Sequence, residues 1–202
     1  MLVKVLFIFL ISITLSAQSA DVIVKKIQTK FSAVEDLKAN FTQKIISELN
    51  ESPITLSGKF YFKKVEKIRI EVSGRNIISD GITIWNHDQK NNKVIISTYD
   101  SDYTSFSLNE IINSYPKLCD NEIVEEQSGI SVIRLTPNED QLNFKSALIS
   151  INKSNMITKV EITDFNNMKF IFTLDSIEIN NNLSNQFFSY ESSEGAEIID
   201  LR

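Results

Sequence analysis

The sequence predicts a mainly β protein: one strongly curved antiparallel sheet of about ten strands with two short helical segments. Three observations carry this. Apolar and polar residues alternate with a period of two through most of the chain, and helical spacing occurs in only two places. Nothing in the composition shifts enough to mark a domain boundary. A sheet of that size tends to curl or close on itself, and helices lying on its concave face would shield that face from water. Whether the apolar face beneath them packs as an ordinary core or encloses a cavity is left open by the pattern.

The first twenty residues stand apart. Lys4 is their only charge, an apolar run follows from Val5 to Leu15, and Ala17-Gln18-Ser19-Ala20 supplies a small-x-small site. This is the pattern of a secretory signal peptide spanning 1–19, with cleavage expected after Ser19 or Ala20 and the functional domain occupying 20–202. The run is shorter than the ~20 apolar residues a spanning helix needs, although an uncleaved anchor is the alternative. No Cys follows it, so the chain is not expected to be a lipoprotein itself.

Next, Val24, Ile27, Phe31 and Val34 recur at steps of three and four, predicting a helix over 21–34 that Asp21 helps to start. The period then changes to two. Leu37, Ala39, Phe41 and Ile45 alternate with polar residues, as do Ile54, Leu56, Phe60 and Phe62, then Ile68, Ile70 and Val72. Short strands are expected at 76–79 and 82–85 around the turn Asp80-Gly81, with 86–92 as a polar turn and another strand at 93–98. Leu108, Ile111, Ile112 and Tyr115 return to helical spacing. They predict a helix over 105–115, capped by Ser107 or Asn109 and closed by Pro116. Strands follow at 122–127, 131–136, 147–152, 157–164, 169–177 and 196–200.

Chemistry is sparse. The chain has one Cys, one His and five Gly. A metal cluster, a phosphate-cradling loop and a catalytic triad each need more than that, so no metal, cofactor or enzymatic activity is expected. His87 is read as a solvated turn residue and Cys119 as a buried thiol. Removing residues 1–19 lowers Lys plus Arg from 21 to 20 against 26 Asp plus Glu. The resulting charge of about −6, with no basic cluster, argues against nucleic acid as a partner. What remains is an apolar face rich in Phe.

Several segments, taken in order, resemble the outer-membrane lipoprotein carrier family, LolA. Ala39-Asn40-Phe41-Thr42-Gln43-Lys44 is similar to that family's first strand, and Leu56-Ser57-Gly58-Lys59-Phe60-Tyr61-Phe62-Lys63-Lys64 to its second. Ser79-Asp80-Gly81-Ile82-Thr83-Ile84-Trp85, Leu135-Thr136-Pro137, and Phe188-x-Tyr190 with Gly195 and Ile198-Ile199-Asp200 match later pieces. The resemblance implies an incomplete antiparallel barrel whose helices form a lid over a hydrophobic cavity, and a monomeric periplasmic chaperone without enzymatic activity. It would take lipoproteins from an inner-membrane ATP-driven exporter and deliver them to an outer-membrane acceptor. The residues expected to face acyl chains are Phe41, Phe60, Phe62, Ile68 and Ile70 on the sheet, with Trp85 near them, and Phe31, Leu108 and Ile111 from the helices. Where the family has Arg-Pro after the second strand, this chain has Lys64-Val65. Lys64 continues the parity of Phe60 and Phe62, which aims it inward at the strand's end, either as a latch on the lid or as a rim lysine reaching water. Other readings of the same residues are a half-barrel that binds a different lipid, glycolipid or lipopeptide, a hydrolase using His87, and a β domain with a filled core.

Overall fold

Alternation of apolar and polar side chains produces strands almost wherever it occurs. The computed structural model describes residues 19–47, 52–64, 66–98, 107–139, 142–192 and 194–202. The apolar segment 1–18 and the expected helix start at Ser105 lie outside the described residues. Helix α1 (Ala20–Ser32) leads into β1 (Asp36–Ile46), β2 (Ile54–Lys63), β3 (Lys67–Val72), β4 (Arg75–Ser79), β5 (Thr83–Asp88) and β6 (Lys93–Thr98). A π-helical turn (Glu110–Ser114) and α2 (Tyr115–Leu118) come next. The second run of strands is β7 (Cys119–Gln127), β8 (Ile130–Pro137), β9 (Ser146–Ile151), β10 (Ile157–Thr163) and β11 (Lys169–Ile179). A 3₁₀ turn (Gln186–Phe188) precedes β12 (Glu197–Asp200).

The described strands form one open sheet in the order β12-β6-β5-β4-β3-β2-β1-β11-β10-β9-β8-β7. Two meanders, β2 to β6 and β7 to β11, are joined by the antiparallel pairing of β1 with β11, in which Phe41 faces Leu174. Every pair is antiparallel except β12, which runs parallel to β6. The last strand therefore departs from the antiparallel expectation, and the sheet has twelve strands where about ten were expected.

Register sorts the side chains into two faces. Phe60 pairs with Ala39 and Ile70, and Phe62 with Leu37 and Ile68, so these six share the inner face. The same face continues through Leu174, Val160, Ile149 and Ile133 on the second meander. Ile23 and Ile27 of α1, with Leu108, Ile111 and Ile112, join these residues in a single buried cluster. A sheet whose two halves both touch the same helices must wrap around them.

The second helical segment runs longer than its sequence suggests. Pro116 does not close it but sits inside the first turn of α2. Ser107 Oγ accepts the Glu110 N–H at 3.2 Å, giving the expected cap. Pro116 has no N–H to offer the Ile112 carbonyl one turn back, and Gln28 Nε2 of α1 donates to that carbonyl at 3.0 Å. A cross-helix bond thus satisfies the acceptor that proline leaves bare.

The outer face holds the larger departure. Strand β5 runs on to Asp88, so His87 is a strand residue and not part of a turn. Residues 180–192 then cross the outer face of β2 to β5 as a strap. Asp36 Oδ1 and Oδ2 accept the Asn181 and Leu183 N–H groups at 2.6 and 3.0 Å, and Lys63 Nζ donates to the Leu183 carbonyl. Arg69 Nη1 donates to the Phe187 carbonyl at 3.2 Å, and its guanidinium lies 4.7 Å from the centre of that ring. Phe188 of the strap is buried, as are Ile78, Val94 and Ile96 on the outer face of β4 and β6, a second small core on the face opposite the first.

Candidate functional site

The apolar inner face and the helices above it make the candidate site. Helix α1 buries Ala20, Ile23 and Ile27 against the sheet. Phe41, Phe60, Phe62, Ile68, Leu108 and Ile111 are all buried in the same cluster, with Phe31 and Ile70 half-buried against it. Eight of the nine expected apolar residues are thus brought together. Phe31 reaches down from α1 to lie 5.2 Å from Phe62, ring centre to ring centre, joining lid to floor.

Trp85 is the exception. It pairs with Ile78, whereas its neighbour Ile84 pairs with the inward Ser79. Trp85 therefore points to the outer face, where its ring stacks on Tyr190 at 6.5 Å. The physical reason lies in strands covered on both sides. Because the strap lies outside β4 and β5, both parities there are apolar, and runs such as Ile77-Ile78 and Ile84-Trp85 signal this in the sequence. His87 shares that outer face, its ring edge-on to Tyr190 at 5.5 Å.

Under the helices the interior is closely packed. The cavity bounded by Val24, Ile27, Ile111, Ile133, Ile149 and Ile157 measures about 10 Å³. That is about the least a single water requires, so anything larger must part the helices from the sheet. Toward the end where β1 and β2 meet, the apolar floor goes on with less cover among the described residues. Ile54 and Leu56 are 52% and 44% exposed there. Ile45, Phe170 and Phe172 share their face, half-buried. This ledge was absent from the expected site, although Ile54 and Leu56 carry the same parity as Phe60 and Phe62.

Lys64 stands where the floor meets the lid. Its Nζ donates to the Ser32 carbonyl, at the end of α1, at 2.9 Å and pairs with Glu35 Oε1 at 2.5 Å. A carbonyl in the last turn of a helix has no intrahelical donor and sits at the negative end of the helix dipole, so a cation there is favourable. Cys119 is buried beside α2, and burial, with Asp120 adding to it, pushes its thiol up to about 11. Burial likewise pushes the Tyr115 hydroxyl up to about 12, with Glu110 beside it.

A wrapped, open sheet with an apolar inner face closed by helices defines a class of half-barrel proteins. Residues 32–191 match the family model described as outer membrane lipoprotein carrier protein LolA. The chain belongs to that family. It is 27% identical over 202 residues to the outer-membrane lipoprotein carrier protein of Francisella tularensis subsp. tularensis (strain WY96-3418), covering 96% of this chain and 94% of that one. The corresponding protein of Chromohalobacter salexigens is 21% identical, with 94% and 92% covered. Among solved structures, an uncharacterized conserved protein from Thermus thermophilus superposes with a TM-score of 0.58 at 13% identity. The match covers 91% of this chain and 99% of that one, and the two share the fold.

Proposed function

We propose that this chain is a periplasmic chaperone, without catalytic activity, that shields the acyl chains of lipoproteins on its inner face. It receives them from an inner-membrane ATP-driven exporter and hands them to an outer-membrane acceptor. Residues 1–19 serve as the signal peptide, and α1 begins at the expected cleavage site. The observation that carries the reading is the apolar floor, closed by helices at one end and continued as an exposed ledge at the other. Each acyl CH₂ moved out of water gains about 0.8 kcal/mol. Such chains cannot travel free, and a filled interior that opens only when they arrive avoids leaving an empty greasy hollow.

In this reading Phe41, Phe60, Phe62, Ile68 and Ile70 are the floor, and Phe31, Leu108 and Ile111 the underside of the lid. Lys64 latches the lid in the empty state and lets go of Ser32 when chains wedge α1 away from the sheet. Among the described residues no helix is long and apolar enough to cross a membrane. Protein purified from the periplasm should carry acylated lipoproteins identifiable by mass spectrometry, and added protein should release them from spheroplasts. Phe60→Asp should abolish release while the far-ultraviolet circular dichroism stays native. Release at the normal rate by a folded Phe60→Asp protein would overturn the site.

A further inference from the structure

The turn between α1 and β1, residues 33–36, is held from both sides of the sheet. From the inner side, Lys64 Nζ binds the Ser32 carbonyl and the Glu35 carboxylate, and the Lys64 N–H donates to the Glu35 carbonyl at 2.9 Å. From the outer side the start of the strap holds the same turn. Asn180 Oδ1 accepts the Glu35 N–H at 2.8 Å, Asn180 Nδ2 reaches the Ala33 carbonyl at 3.4 Å, and the Asn180 N–H donates to the Asp36 carbonyl at 2.8 Å. The Asp36 carboxylate, 2% exposed, then takes the N–H groups of Asn181 and Leu183. Asn180 and Asn182 adopt φ of 59° and 59° to make this approach, a left-handed conformation that asparagine tolerates better than most residues.

We infer that Asp36 is a positioning residue that couples the lid to the strap, so that lifting α1 on the inner face loosens residues 180–192 on the outer face. Rocking α1 away from the sheet moves Ala33 and Glu35, the residues that Asn180 grips. Asn180 holds that turn with its side chain, and the next residue, Asn181, gives its N–H to the buried Asp36 carboxylate, so moving the turn pulls on the bonds that keep that charge paired. Strap residues Phe187 and Tyr190 line, with Arg69, Asn76 and His87, an open outer groove of about 450 Å³. Loosening the strap changes the surface a partner would meet. On the carrier reading, loaded and empty states then differ on the face away from the cargo, where the outer-membrane acceptor can tell them apart without touching the acyl chains.

Hydrogen exchange followed by mass spectrometry on the full mature protein tests the coupling. Asp36→Asn keeps the size but removes the charge, and should lower the protection of both α1 and the strap, each by about tenfold or more, the scale of one lost charge-assisted bond. Lys64→Ala, acting only from the inner side, should lower both together. A change confined to one element, or to neither, in either variant overturns the coupling. Trp85, the single tryptophan, lies under the strap and reports it separately. Adding a tripalmitoylated cysteinyl peptide should make Trp85 more accessible to acrylamide in the wild type. Peptide that binds by calorimetry without changing Trp85 quenching overturns the coupling. Peptide that does not bind at all, with the paired exchange response intact, overturns the carrier reading instead.

Discussion

Replacing Lys64 by methionine removes one ammonium and keeps most of its stem. The lost contacts are the 2.9 Å bond to the Ser32 carbonyl and the 2.5 Å pair with Glu35. Side-chain exposures of 40% and 67% place the ion pair in the weak regime of about 0.2–1 kcal/mol. A cation on a helix C-terminal carbonyl contributes about 0.3–1 kcal/mol. Because the Lys64 backbone bond to Glu35 survives, the lid should lose about 1 kcal/mol, or roughly a fivefold rise in the open population. Amides in α1 should exchange about fivefold faster, and an acylated peptide should bind about fivefold more tightly if the open state is the competent one. Delivery should suffer, because a lid that closes less well expels cargo less well. High salt screens an exposed pair, so wild-type protein in about 1 M salt should move toward the variant. Unchanged α1 exchange in Lys64→Met, or a salt response as large in the variant as in the wild type, refutes the reasoning.

Gly58→Ala should destabilise the fold by about 1–3 kcal/mol. A Cβ there would lie 1.9 Å from the Glu71 carbonyl oxygen and 3.1 Å from Phe41 Cε1, so strand β3 must shift; an unchanged urea midpoint would contradict this. Cys119, with its thiol pushed up to about 11 by burial, should carry roughly a hundredfold less thiolate at about pH 8 than an ordinary cysteine, and equal rates with Ellman's reagent in native and urea-unfolded protein would count against that. Burial works against ionisation of Glu161, but Lys159 at 3.2 Å and Lys169 at 3.3 Å outweigh it and hold the carboxyl below its ordinary 4.5. A lowered carboxylate contributes stability above its unfolded value and loses it as pH falls through the folded one. Glu161→Gln should therefore cost stability at neutral pH and flatten the acid limb of thermal melts below about pH 4.5. Parallel acid limbs for the two proteins would remove Glu161 from the account.

The inner face was legible because burial on one side writes itself into a strand as period two. Phe41, Phe60, Phe62, Ile68 and Ile70 could be grouped from parity alone, and register keeps them together. The same reasoning misplaced Trp85 because β4 and β5 are apolar at both parities, at Ile77-Ile78 and Ile84-Trp85, so no single apolar face marks which side continues the floor. The strap was invisible for a different reason. Residues 180–192 hold their place by backbone groups docking onto Asp36, Lys63 and Arg69, and such contacts leave no periodicity. Asn180-Asn181-Asn182 was the one local sign of unusual backbone there. Pro116 misled because its helix-ending effect is cancelled by Gln28, which lies 84 residues from the carbonyl it satisfies, a distance no local rule can see.

The pairing of β1 with β11 dictates an order of assembly. The hydrogen bond from Asn40 Nδ2 to Asp175 Oδ1 closes a separation of 135 residues. Each meander can zip up from its own hairpins, which are cheap to close. The strand that joins them is made near the start of the chain, and its partner near the end. Until Lys169–Ile179 arrives, β1 keeps a free edge, and Leu37, Ala39 and Phe41 have only half a floor around them. Non-local pairing of this kind is slow, and open edges invite strands from other chains. Neither half has an inside of its own, so a continuous apolar floor exists only once β1 and β11 have met.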